Sequence, residues 1–276
     1  MFKLYGIIGI LLILLTEINF IFKIQPFANW YFPLIWWGYI LTIDAIIFKL
    51  KRDSLISNRF QQFLGMTIFS IFIWWAFEVI NISVGNWKYV SFSEMSPLAS
   101  MIMKNLAFAT VVPAFFETVE LLRTIHLFDK KKLKKKHNIT KKTIYILITL
   151  GVLAFLSPLV LPKFTYPLVW LSFFLILDPI NYLHKQPSII KHLRDKKLVI
   201  PLSLLVAIMI MGFLWEFWNY WAVRKWVYDI PYFGFFKIFE MPILGYLGYL
   251  PFAFELYAMY WFLRSLVIHK EHLLYE

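Results

Sequence analysis

The stretch Pro33–Asp44, PLIWWGYILTID, returns as PLVWLSFFLILD at Pro167–Asp178, with proline, tryptophan and aspartate at matching places. Each copy lies in an apolar block of about twenty residues, the length that crosses a bilayer as helix. An aspartate inside such a block is costly in lipid unless it faces other protein or pairs there. The two stretches therefore point to a helical membrane bundle made of related units, and the flanking sequence extends this reading.

Spans are predicted near Leu4–Phe22, Trp30–Phe48, Gln62–Ile82, Leu98–Phe128, Thr143–Leu161, Tyr166–Leu183, Leu198–Ala222 and Phe239–Ile268. The fourth and eighth are longer than one crossing requires, so each is expected to open with an interfacial or re-entrant piece, around Lys104 and Glu240. The match continues beyond the aspartates. Span three carries WAFEVIN, with Glu78 and Asn81, followed by Gly85, Trp87 and Tyr89. Span seven carries WEFWN, with Glu216 and Asn219, followed by Trp226 and Tyr228. Span four has PAFFE (Pro113 to Glu117) where span eight has PFAFE (Pro251 to Glu255). Aligned apolar residues would be a cheap coincidence in so hydrophobic a chain; aligned carboxylates are not. The expected architecture is all-α and integral to the membrane, with about eight transmembrane helices. They form two tandem four-helix repeats, residues 1–128 and 143–276, joined by a polybasic linker at 129–142. Four spans per unit is an even number, so the repeats enter the membrane in parallel orientation.

Composition agrees. Hydrophobic residues make up 61% of the 276 and charged ones 16%, too few for the charged coat of a soluble domain, which carries about 25%. A closed barrel would show short alternating segments, and these are absent. There is no cysteine, which excludes disulfides and thiolate metal sites. The histidines sit at or beyond helix ends, which argues against histidine-ligated iron; no metal and no cofactor are expected. The net charge of +12 gathers in alternate connections: Lys49, Lys51, Arg52 and Arg59, then KKKLKKKHNITKK, then HKQPSIIKHLRDKK. Connections such as IQPFAN and LPKF between them are sparse. The positive-inside rule places the basic loops and both termini in the cytoplasm, in a plasma (inner) membrane. The charge then marks topology and contact with the lipid bilayer, and no nucleic-acid partner is expected. The first span lacks a small-residue cleavage site and is expected to be a retained helix rather than a signal peptide.

Six intramembrane carboxylates belong to the repeated set and are the candidate catalytic groups: Asp44, Glu78, Glu117, Asp178, Glu216 and Glu255. Glu17 and Glu120 lack repeat partners. Glu78 and Asn81 are three apart, as are Glu216 and Asn219, so each pair shares a helix face. Pro113 and Pro251 each free a carbonyl four residues earlier and are expected to kink their helices beside Glu117 and Glu255. A structural hydrogen-bonded glutamate at a helix bend would satisfy the same pattern. Asn81, Asn219, Trp87, Trp226, Tyr89 and Tyr228 are candidate substrate contacts, with an interfacial aromatic belt as the plainer alternative. Lys104 is the one cation deep in a span, and the lack of a second argues against an anionic substrate. A carboxylic acid in an apolar cavity can serve as general acid, and aromatic faces stabilise cations.

With these residues in view, the repeated unit resembles the integral membrane lycopene cyclase domain of carotenoid biosynthesis. The resemblance rests on an acid late in one helix, a glycine, a W-x-Y segment, and a proline with glutamate in the next helix. Glu78, Gly85, Trp87, Tyr89, Pro113 and Glu117 follow that order, as do Glu216, Trp226, Tyr228, Pro251 and Glu255. The family's P-x-E-E becomes P-x-x-x-E in both halves, its aspartate-like acid is a glutamate, and no glycine precedes Trp226. The resemblance implies acid–base chemistry on an isoprenoid chain. Glu117 or Glu255 would protonate a terminal double bond, aromatics would shield the cation, and a second carboxylate would remove a proton. Two other classes fit the residues: a proton-coupled transporter using Asp44 and Asp178, and a non-catalytic lipid-binding or assembly protein.

Overall fold

A computed structural model describes residues 2–91, 94–135, 138–232 and 234–267. Linker residues 136–137, Ile268 at the end of the predicted eighth span and the tail after it lie outside the described residues. The chain is mostly helical. Before the linker come α1 (Leu4–Phe22), α2 (Tyr31–Lys51), the short α3 (Leu55–Asn58), α4 (Phe60–Val84), strand β1 (Trp87–Ser91), α5 (Pro97–Phe108) and α6 (Val111–Thr124). After it come α7 (Lys141–Val160), α8 (Pro162–Thr165), α9 (Val169–Leu183), the short α10 (Ile189–Arg194) and α11 (Val199–Trp221). Strands β2 (Arg224–Tyr228), β3 (Lys237–Ile238) and β4 (Met241–Pro242) then lead into α12 (Tyr249–Val267).

Among the described residues, seven helical stretches are long and apolar enough to cross a membrane, so the chain is an integral membrane protein. They are Leu4–Phe22, Phe27–Lys51, Phe60–Val84, Pro97–Thr124, Lys141–Val160, Pro162–Leu183 and Val199–Trp221. The eighth expected span, α12, is 19 residues long but mixes Glu255, Arg264, three tyrosines and Trp261 into its length and does not join them. Its position explains the mixture. Phe252, Ala253, Glu255, Leu256 and Tyr257 are all buried, and a helix walled in by other helices need not be apolar on every side.

Burial divides the helices. On α1 and α7 the apolar side chains are largely exposed, as expected of surfaces that meet lipid. Each leans on an inner neighbour through a glycine. A Cβ on Gly9 of α1 would stand 2.8 Å from the Gly38 carbonyl of α2, and one on Gly151 of α7 would stand 2.9 Å from the Ile176 nitrogen of α9. Small residues let apolar helices approach this closely, and packing is what holds them once lipid surrounds both. Further in, α6 packs on α11 and α4 packs on α12, so each half supplies an inner helix to the other.

Both long blocks are interrupted at their prolines. The predicted fourth span is two helices, α5 and α6, separated at Ala109 and Thr110, and Pro113 lies in the first turn of α6. The predicted eighth span opens instead at the turn of the β3–β4 hairpin, with β3 just ahead of it, and continues through β4 and a 3₁₀ turn at Ile243–Gly248; Pro251 lies in the first turn of α12. A first-turn proline gives up an N–H that has no intrahelical partner anyway, so Pro251 marks the start of α12, whereas the break four residues before Pro113 interrupts one apolar stretch, Pro97–Thr124, where the sequence predicts a kink. At the first break Ser70 of α4 accepts from Val112 N at 3.0 Å and donates to the Phe108 carbonyl, satisfying groups on both sides.

The repeated aspartates have matching partners. Asp44 accepts from Ser54 Oγ at 2.8 Å and Ile56 N at 2.9 Å. Asp178 accepts from Ile189 N at 2.7 Å and Ile190 N at 3.0 Å. A serine stands ten residues after each aspartate, Ser54 and Ser188, ahead of a short helix. Each aspartate thus ties the start of that helix, α3 or α10, back to the span that carries it.

Candidate functional site

The site is built where the ends of α4 and α11 turn into strands. Gly85, at φ 68°, ends α4 in the left-handed region that suits glycine. Asn81 then catches the returning chain: its Nδ2 donates to the Trp87 carbonyl at 2.8 Å, and its Oδ1 accepts from Asn86 N at 2.9 Å. On α11, Asn219 does the same without a glycine. Its Nδ2 donates to the Trp226 carbonyl at 2.9 Å and its Oδ1 accepts from Trp226 N at 2.9 Å. The asparagines, proposed from sequence as substrate contacts, are clips that fix the start of each strand.

β1 and β2 pair antiparallel, with Trp87 opposite Tyr228 and Tyr89 opposite Trp226. Alternate residues of a strand share a face, and so do residues directly opposite across a pair. All four aromatics therefore project from one face of the ribbon, and all four line a cavity of about 400 Å³ below it. The remaining walls come from both halves: Phe32 and Pro33 of α2, Trp74 of α4, Trp170 of α9, Trp215 of α11, and Tyr249 and Phe252 of α12. The volume is within the roughly 300–1,000 Å³ of small-ligand sites.

Two carboxylates stand behind these aromatics. Glu78 Oε1 accepts from Tyr89 Oη at 2.6 Å, Trp87 Nε1 at 3.1 Å and Trp74 Nε1 at 3.1 Å. Glu216 Oε1 accepts from Tyr228 Oη at 2.7 Å and Tyr249 Oη at 2.8 Å, and Trp226 Nε1 donates to Tyr228 Oη at 2.8 Å. Glu216 is fully buried, whereas Glu78 is half-buried. Burial first and the neighbouring Glu78 second raise the Tyr89 phenol above its ordinary range. Burial and Glu216 likewise hold Tyr228 well above it. Both phenols accordingly keep their protons and act as O–H donors.

The other candidates lie elsewhere. Glu117 and Glu255 are fully buried, and neither lines the cavity. Glu255 Oε1 accepts from Phe173 N at 2.8 Å, in the early turns of α9. Neither oxygen of Glu117 has a hydrogen-bond donor among the described residues, and Asp44 and Glu120 are the acidic groups around it. Asp44 and Asp178 are occupied by the short helices described above. The unrepeated acids also have partners: Glu120 pairs with Lys51 and Arg123, and Glu17 accepts from Trp218 Nε1 at 2.9 Å.

Sequence reasoning missed Tyr249, Trp74, Trp215, Arg224 and Lys225 as cavity walls. Tyr249 is 33 residues from the carboxylate it bonds, and no periodic pattern joins them. Arg224 and Lys225 reach the cavity because β2 pairs with β1, which also brings them to the same cavity as Lys104. A signal was available: W-K-Y-V-S at Trp87–Ser91 and R-K-W-V-Y at Arg224–Tyr228 are both short, alternating and rich in strand-forming residues. Among the described residues no three histidine or carboxylate side chains gather as a metal-binding group. No family model matches the chain, and no curated protein or solved structure is detectably similar to it.

Proposed function

We propose that the chain is a membrane-embedded acid–base enzyme acting on an isoprenoid-type lipophilic chain held in the aromatic cavity. The observation that carries this reading is the pair of hydrogen-bonded glutamates, Glu78 and Glu216, set directly behind four cavity-facing aromatics of one β ribbon. The scaffold is a tandem duplication with eight spans, α12 being the last. The matching aspartate caps, the matching asparagine clips and the reciprocal packing of α4 on α12 and α11 on α6 support that duplication. The basic connections put both termini in the cytoplasm of a cell with a plasma (inner) membrane, and the ribbon at the opposite face.

In this reading the chemistry passes through phenols. For the first step the hydrogen bonds of Glu216 reverse: as an acid it gives its proton to the oxygen of Tyr228 or Tyr249, and that hydroxyl turns from Glu216 Oε1 to pass its own proton to an alkene carbon of the chain. One O–H bond re-forms as another breaks, a C–H bond forms, and the adjacent carbon becomes cationic. The indole and phenol faces stabilise it. Glu78, through Tyr89, then accepts a proton from a neighbouring carbon and the double bond re-forms there. The balance is an isomerisation or cyclisation, and no oxidant or reductant enters. The roles thereby move from Glu117 and Glu255, the proton donors the family resemblance implies, to Glu216 and Glu78, which reach the cavity through lining residues. A carrier reading has less to work with, because Asp44 and Asp178 neither line the cavity nor stand free.

The test is to express wild type, Glu78→Gln and Glu216→Gln in a carotenoid-producing host and profile the whole lipid extract by mass spectrometry. An isomeric product made by wild type and lost in both folded variants supports the proposal. Equal product from wild type and both variants sinks it.

A further inference from the structure

We infer that the occupant of the ribbon cavity carries an anionic head group, a phosphate or a carboxylate, on its lipophilic chain. This rests on the reading of the cavity as the ligand site. Three cations line its walls, Lys104 of α5 and Arg224 and Lys225 of β2, and no carboxylate does so among the described residues. Lys225 is matched by Glu240 at 2.6 Å. Arg224 donates to the hydroxyls of Ser91 and Ser100, both at 3.1 Å, which orient its guanidinium. Lys104 forms no hydrogen bond or ion pair with a described residue, and its ammonium lies 5.1 Å from the centre of the Tyr89 ring. That tyrosine is the one whose hydroxyl engages Glu78.

An ammonium placed half-buried beside an apolar, aromatic space is stabilised by a ring face but has no anion beside it among the described residues. Most of the rest of the wall is apolar, with Trp170, Phe252 and Leu247 among its chain contacts, and its other polar groups, such as Asn86, Ser91 and the tyrosines, carry no positive charge. A bare hydrocarbon would leave the cationic end unused, and a free inorganic anion would leave the aromatic end unused. An amphiphile with an acidic head meets both. The single deep lysine of the sequence is joined in space by β2's cations, which removes the sequence-level argument against an anionic ligand.

Purified protein in mild detergent is titrated with four probes, following cavity tryptophan fluorescence: a C15 prenyl monophosphate, a C15 fatty acid, the uncharged C15 prenol and inorganic phosphate. The expected result is a preference of about ten-fold or more for an anionic probe over the prenol. It should be lost in Lys104→Met, with prenol affinity unchanged, and largely kept in Lys104→Arg. Phosphate against carboxylate affinity identifies the head. Equal affinity for prenol and anionic probes, or a preference untouched by Lys104→Met, overturns the anionic-head inference and leaves the cavity as a lipid site. Inorganic phosphate binding alone also overturns it. If no lipophilic probe binds folded protein, the cavity reading itself fails and this inference with it.

Discussion

Replacing Asn219 with alanine removes the clip that fixes β2 to the end of α11. The side chain is fully buried and makes two hydrogen bonds to one residue, the Trp226 carbonyl and the Trp226 N–H, each 2.9 Å long. A typical intramolecular hydrogen bond contributes about 1 kcal/mol net, and a buried backbone group left unpaired costs about 1–3 kcal/mol. Trp226 is partly buried, so water recovers some of the loss. The estimate is then ~2–4 kcal/mol, concentrated on the ribbon because the helices below keep their packing. Amide hydrogen exchange of Arg224–Tyr228, in detergent, reads this local opening directly. Exchange should accelerate roughly thirty-fold to a thousand-fold, with the paired β1 residues following and α9 unaffected. Asn219→Asp, which keeps the acceptor and loses the donor, should fall between. Wild-type exchange rates in β2 of Asn219→Ala would refute the clip, and acceleration spread evenly over all helices would show that the residue supports the bundle rather than the ribbon.

Asp178→Ala should destabilise the protein by about 2–4 kcal/mol, since two first-turn amides of α10 lose their acceptor. Proteolysis within residues 184–198 should rise with it, and resistance equal to wild type would remove the capping role. Gly151→Leu should separate α7 from α9, because even a Cβ there would stand 2.7 Å from Ile176 Cγ1; a fall in the heat-unfolding midpoint checks this. His192, outside the spans, is pushed down from 6.5 to about 4, by burial first and then by Lys191, Lys197 and Arg123, with Asp195 opposing. Its ring contacts the Tyr257 hydroxyl at 3.1 Å. The unfolded chain therefore binds the extra proton between those values. This contribution is fully present above pH 6.5 and drains away as pH falls toward about 4, by at most ~3 kcal/mol. Unfolding midpoints from pH 7.5 to 4.5, roughly spanning that range, should show the slope in wild type and a flatter one in His192→Phe.

Local composition and spacing were enough to locate most of the scaffold. Apolar length placed α1, α4, α7 and α11 within a few residues of their ends, because a span must satisfy its backbone within itself and so leaves its mark on contiguous sequence. The repeated carboxylates were visible for the same reason: each is an expensive residue in an apolar run. Their occupations were not visible. Asp44 and Asp178 cap short helices that begin eleven residues later, whereas Glu78 and Glu216 bond phenols and indoles of the ribbon, and a bare carboxylate in a span looks alike in both cases. The prolines marked the right places, but not that Pro113 interrupts a long helical stretch while Pro251 starts a helix, since a proline that kinks a helix and one that starts it carry the same local signal.

The sequence by itself determined a helical membrane protein, the approximate positions of its spans, and the identity of the acids and aromatics that stand out in them. Only the tertiary structure decided that Trp87 faces Tyr228, that Tyr249 reaches Glu216, and that Lys104 shares a cavity with Arg224 and Lys225. The physical reason is range. Hydrophobic length and helix termination act between residues a few places apart. Strand pairing across 137 residues, as between Tyr89 and Trp226, depends on which helix ends the packed bundle brings together, and that is a property of the folded bundle.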